Sequence, residues 1–160
     1  DQVETLLILD DDVLFHRNLE ELFGKVAQEL PQDWQVLQLG TLQHNWSHPW
    51  FEPVSGHLYR TNGAAIGSHA VGLRFEAIAS ILDHVSRMDL PFDIGALSAM
   101  TQAFPDQCFV TLPNLAIQRL GRTSDINTSR FQETSTIDEV AARYRWNLAD
   151  YPDAERGISA

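Results

Sequence analysis

Thr5-Leu6-Leu7-Ile8-Leu9-Asp10-Asp11-Asp12 is the stretch whose reading decides the fold. The apolar run is too short for a buried helix. It reads as a central strand covered on both faces. Three carboxylates follow it without a spacer. In open α/β sheets ligands bind just outside the carboxyl ends of the strands. Side chains alternate along an extended chain, so Asp10 and Asp12 are expected to point the same way, with Asp11 opposed. Two such carboxylates raise each other's pKa, and a divalent cation between them removes the repulsion. Hard oxygen donors that leave coordination positions open suit Mn²⁺ or Mg²⁺ shared with substrate phosphates. The bland reading of the triplet is an acidic turn that caps a helix.

Outward from this point, Leu19, Leu22, Phe23, Val26 and Leu30 recur at helical spacing after Asn18, a helix capper, and Pro31 ends the pattern. Trp34 to Leu39 reads as a second strand closed by Gly40. Thr41 to Gly56 reads as a long loop rich in His, Trp and Pro. His57 to Thr61 reads as a strand, and Ala64 to Leu73 becomes strand-like near its end. Phe75 to Val85 and Ile94 to Phe104 read as helices, Cys108 to Leu112 as a strand, and Ile137 to Tyr144 as a helix. Strands and helices alternate, which places the chain in the α/β class.

The bulk properties exclude several function classes. The 160 residues suit one domain. A net charge of −11 argues against nucleic acid, whose binding needs clustered cations. No apolar run is long enough to span a bilayer. The single cysteine, Cys108, precludes an internal disulfide and fits a reducing compartment. The expected location is therefore cytoplasmic, or peripheral at the inner membrane. The sequons at Asn45 and Asn127 matter only for a secreted chain. The start at Asp1 rather than Met predicts a piece of a longer protein.

Leu-Ile-Leu-Asp-Asp-Asp before an amphipathic helix also resembles the start of a response-regulator receiver domain. That family needs an aspartate after its third strand and a lysine after its fifth. Here the next strand ends in Gly40-Thr41, and the only lysine, Lys25, lies inside the first helix.

A wider resemblance covers roughly residues 5 to 127. Leu7-Ile8-Leu9-Asp10-Asp11-Asp12-Val13, then Gly67-Ser68-His69-Ala70-Val71-Gly72-Leu73 before a helix, then Leu90-Pro91-Phe92-Asp93, Pro113, Gln118 and Ser124-Asp125-Ile126 stand in order. This set is similar to glycosyltransferase family 25, the lipooligosaccharide and collagen galactosyltransferase group. The resemblance implies a partial GT-A-like fold, a mixed sheet flanked by helices. It also implies a nucleotide-sugar donor, often UDP-galactose, and a saccharide acceptor. The chain departs from the family pattern in three ways. Asp10 stands where the family often has Glu, Val71-Gly72 replaces a Tyr-containing pair, and the family's N-terminal nucleotide-binding half has no counterpart here. Residues 1–127 then form the metal and acceptor side of the transferase, with 128–160 as a C-terminal helix and polar tail.

On this reading Asp10 and Asp12 are the metal ligands, and Asp11 orients them or contacts the donor. Asp93 is the general base for the acceptor hydroxyl, giving inversion, with Phe92 and Ile94 supplying a partly apolar setting. Its bland role is to cap the following helix. Gln118, Ser124 and Asp125 close over the donor. Trp46 and Trp50 meet the acceptor, since sugars stack on flat rings while polar edges bind hydroxyls. His69 is placed on the acceptor side too, or serves as a third metal ligand or a donor to phosphate. The competing expectation is a carbohydrate-binding fragment without turnover. A half-domain with a free sheet edge would also be prone to pair with a second copy.

Overall fold

The computed structural model describes residues 4–43, 45–63, 65–87, 89–119, 137–152 and 154. Ser124, Asp125 and Asn127 lie outside them. The described part is mixed α/β. Strands β1 (Thr5–Leu9), β3 (Val36–Gln38), β4 (Phe51–Pro53), β5 (Leu58–Thr61), β6 (Ala70–Arg74) and β7 (Cys108–Thr111) form a six-stranded sheet in the order β1-β6-β3-β7-β5-β4. β3 and β7 are parallel, and every other neighbouring pair is antiparallel. β6 runs against both β1 and β3, so β1, β3 and β7 point the same way and their carboxyl ends share one rim of the sheet. A second, two-stranded sheet pairs β2 (Val13–Phe15) with β8 (Ala116–Gln118).

Helices cover both faces. On one face, α1 (Leu19–Glu29) buries Val26 against Leu37, Leu58, Ala70 and Phe109. On the other lie α2 (Phe75–Arg87), a π-helical turn over Asp93–Leu97 and α3 (Ser98–Ala103). They enclose Val36, Val71, Leu73, Met100 and Cys108. The small sheet has its own core, where Leu14 and Ile117 pack with Ala141, Trp146 and Tyr151 from α4 (Ile137–Tyr144) and the turn after it. The C-terminal helix is thus docked on the strands that follow the acidic triplet, and the Tyr151 hydroxyl donates to the Asn114 carbonyl.

Three expectations need correction. Thr5–Leu9 is not a central strand but an outer edge. Leu6, Leu7 and Leu9 are 41%, 50% and 44% exposed, because among the described residues only β6 pairs with the strand and α1 packs further in. The supposed loop from Thr41 to Gly56 contains β4, which forms the opposite edge. The helix expected from Ile94 begins one residue earlier as a π turn. Neither β2 nor β8 was legible, since three-residue strands carry no periodicity and exist only through each other.

The β3 end packs tightly. A methyl group on Gly40 would sit 1.7 Å from the Ala116 carbonyl oxygen, so only glycine lets the strand end reach β8. Thr111 Oγ1 and the Leu115 and Ala116 amides all donate to the Leu39 carbonyl, tying the two sheets together there.

Cys108 lies wholly inside the sheet, and burial pushes its thiol pKa up to about 12. At pH 8 its labelling by a disulfide reagent should be roughly a thousandfold slower in the native chain than in urea. Comparable rates in the two conditions would show that the sheet opens there.

Candidate functional site

The acidic triplet lies where the chain leaves the large sheet for the small one. The Asp10 amide donates to the His69 carbonyl at 3.0 Å and extends the β1–β6 ladder by one rung. The chain then turns at Asp11 and Asp12 rather than continuing extended. The Arg119 amide donates to the Asp12 carbonyl at 2.9 Å and opens the β2–β8 ladder. Backbone bonds on both sides thus fix the turn. The relative placement of Asp10 and Asp12 is set by this turn, not by strand alternation.

The Asp10 pKa is raised, first by partial burial, then by the charges of Asp12, Asp11 and Asp93. The Asp93 carboxylate thus acts on Asp10 by charge, although 83 positions separate the two. Its carboxylate does more than cap a helix. Oδ1 accepts from the Ile94 amide at 2.9 Å, while Oδ2 crosses to the Gly67 amide at 3.1 Å. Gly67 has φ +102°, a conformation that L side chains rarely adopt, and its carbonyl accepts from Gln38 Nε2 at 2.7 Å. A chain of contacts, Gln38 to Gly67 to Asp93, thus holds the carboxylate opposite Asp10. π turns of this kind are frequent at functional sites.

Asp12 is the most constrained member. Oδ2 accepts from Gln118 Nε2 at 3.1 Å. Oδ1 is buried and has no hydrogen-bond partner. A carboxylate oxygen removed from water and left unpaired is costly, on the order of 1–3 kcal/mol or more for a charged group. A cation could serve as that partner, and in this respect the residues present fit a divalent metal. Among the described residues, no three His, Cys, Asp or Glu side chains converge on one point. The arrangement offers two carboxylates and leaves other positions to phosphate or water, the habit of Mg²⁺ and Mn²⁺.

The remaining candidates divide. Gln118 reaches the site and holds Asp12. Asp11 is exposed beside it. His69 does not face an acceptor, because it is 1% exposed and its Nε2 lies 3.2 Å from the Ala116 carbonyl. Only an N–H can make that contact, so Nε2 carries the proton. Burial lowers the His69 pKa, and the ring stands as a neutral strut between β6 and β8. Trp46 is also withdrawn from the acceptor role. It is 8% exposed, packs on Phe51 and Tyr59 and donates its indole N–H to the Gln43 carbonyl. Trp50 is 49% exposed and leads into β4, the sheet edge opposite β1. Sequence reasoning passed over Gln38 and undervalued Gly40 and Gly67. A glutamine inside a fully buried strand was the available signal for the first.

The raised Asp10 pKa has a definite sign. Its charged form is disfavoured in the folded chain, so folding loses stability as pH rises from the unfolded aspartate pKa through the folded one. In chelator at pH 7, Asp10→Asn should raise the melting temperature. The gain should shrink as pH falls into the carboxylate range, where Asp10 itself takes up a proton. A lower melting temperature for the variant in chelator would mean that the site is not a repulsive one.

No protein-family model, curated protein or solved structure matches the chain.

Proposed function

We propose that this chain is the metal- and acceptor-binding side of a divalent-cation-dependent, inverting hexosyltransferase of the GT-A type. Its donor would be a nucleotide sugar such as UDP-galactose and its acceptor a saccharide of a surface polysaccharide or lipooligosaccharide. The observation that carries the proposal is the buried, unpartnered Asp12 Oδ1, set beside Asp10, whose charge Asp93 opposes. The ordered resemblance to glycosyltransferase family 25 supplies the reaction class.

Each residue then has a defined task. Asp10 and Asp12 would hold Mn²⁺ or Mg²⁺, and the Gln118 amide fixes the orientation of Asp12. The cation, when bound, would supply neutralisation of charge on diphosphate oxygens. Asp93 accepts the proton of the acceptor hydroxyl as that oxygen bonds to the anomeric carbon. The bond from that carbon to the phosphate oxygen breaks, and the nucleoside diphosphate leaves with its electron pair. The two hydrogen bonds that Asp93 accepts leave lone pairs free on both oxygens, so it remains competent as a base. Asp11, exposed at the turn, is positioned for the donor.

Asp93→Asn should keep the fold, at about 1 kcal/mol for the one hydrogen bond that an amide cannot accept. Hexosyl transfer should fall by about 10²- to 10⁴-fold, the usual contribution of a positioned base. Undiminished transfer by a folded Asp93→Asn chain would remove the assignment.

Thermal melting separates the enzyme from a chain that binds sugar without turnover. Mn²⁺ should raise the melting temperature, and UDP should raise it further only when Mn²⁺ is present. The Mn²⁺ effect should weaken as pH falls and protons compete for Asp10. A shift with metal and none with UDP would favour the binding fragment. No shift with Mn²⁺ in either the parent or the Asp10→Asn chain would end the metal reading.

A further inference from the structure

We propose that Gln38 is a positioning residue for the base: through Gly67 it aims the amide that holds the Asp93 carboxylate. The task of Asp93 itself rests on the transferase reading above. Gln38 is the one polar residue of β3 and is 2% exposed. Its register partners, Val71 and Val110, are wholly buried. An amide in such surroundings costs free energy unless it is hydrogen-bonded, and an apolar side chain would carry no such cost. The Gln38 amide meets this condition through one contact across the fold, from Nε2 to the Gly67 carbonyl at 2.7 Å.

Gly67 joins two peptide groups, and each is held from β3 or the residues just after it. The group before Gly67 carries the Ile66 carbonyl, which accepts from the Leu42 amide at 2.8 Å. The same group carries the Gly67 amide, which donates to Asp93 Oδ2 at 3.1 Å. The group after Gly67 carries the carbonyl that Gln38 holds. Glycine is the residue that least determines its own φ, so the value of +102° depends on these two attachments. Loss of the Gln38 bond leaves Gly67 turning about the Leu42 attachment alone, and its amide swings away from the carboxylate. The Ile94 amide cannot compensate, because its bond to Asp93 Oδ1 is local to the π turn and makes no tie to the sheet. The aim of the base is thus set from a central strand of the sheet.

The test uses Gln38→Met in the full chain, which keeps the side-chain length and removes the donor. The first readout is the Gly67 amide in ¹H–¹⁵N NMR, in chelator and without donor. In the parent chain its proton shift should follow a carboxylate titration, and Asp93→Asn should remove most of that response. In Gln38→Met the response should fall to less than about half, with the other amides of the sheet in place. The second readout is hexosyl transfer. Gln38→Met should lower kcat roughly tenfold or more while the acceptor KM stays within about twofold. In the Asp93→Asn background the same substitution should change kcat by less than about twofold, because the group it positions is already gone. A glutamine with a purely structural role would lower transfer equally in both backgrounds and leave the Gly67 titration intact. Either result overturns the proposal. Gln38→Asn, whose amide falls one carbon short, should behave alike and decides the matter if Gln38→Met does not fold. If no nucleotide sugar supports transfer by the parent chain, the transferase reading fails, and the Gly67 titration still decides whether Gln38 holds Asp93. If transfer depends on Asp93 and not on Gln38, the positioning role fails and the transferase reading stands.

Discussion

One carboxylate oxygen, Asp12 Oδ1, is enclosed without a partner at the point where the chain crosses from one sheet to another. The arrangement around it is held by backbone bonds rather than by side chains. The Asp10 amide is tied to β6 and the Asp12 carbonyl to β8, so the turn cannot open without breaking a ladder on either side. Gly40 makes this crossing geometrically feasible, because β3 must come within contact distance of the Ala116 carbonyl. Repulsion of Asp10 by Asp12, Asp11 and Asp93 is therefore built into the fold.

The two sheets divide the work. The large sheet brings β1, β3 and β7 to a common carboxyl rim and sets His69 there as a buried strut. The small sheet, braced by α4 and the Tyr151 turn, carries Gln118 back against Asp12. The π turn on the opposite layer delivers Asp93 from a third direction through Gly67. No one element contains the site, so damage to any of these three supports would be felt at the carboxylates before it reached the main core.

The aromatic residues illustrate why composition alone does not tell Trp46 from Trp50. Trp46 and Trp50 stand four positions apart in a polar loop, which gives them equal claim to a sugar. Packing separates them. Trp46 turns inward because Phe51 and Tyr59 across the β4–β5 pair offer it a dry pocket and the Gln43 carbonyl takes its N–H. Trp50 has no such shelter and stays half in water.

The sequence by itself determined the element types, most of their positions and the place of three carboxylates at the end of the first strand. Those rest on local periodicity and on short-range chain stiffness, which five to twelve neighbouring residues specify. It also marked Asp93 and Gln118 as candidates. Only the tertiary structure decided that Thr5–Leu9 is an edge, that β2 and β8 exist, that Trp46 and His69 are interior, and that Asp93 and Gln118 meet the triplet. Those outcomes depend on pairings across as many as 105 positions, such as Val13 with Gln118, or 26, such as Gly67 with Asp93. Hydrophobic pattern says that a segment is covered but not by what, so the identity of a distant partner is set by global packing and register, not by the segment's own residues.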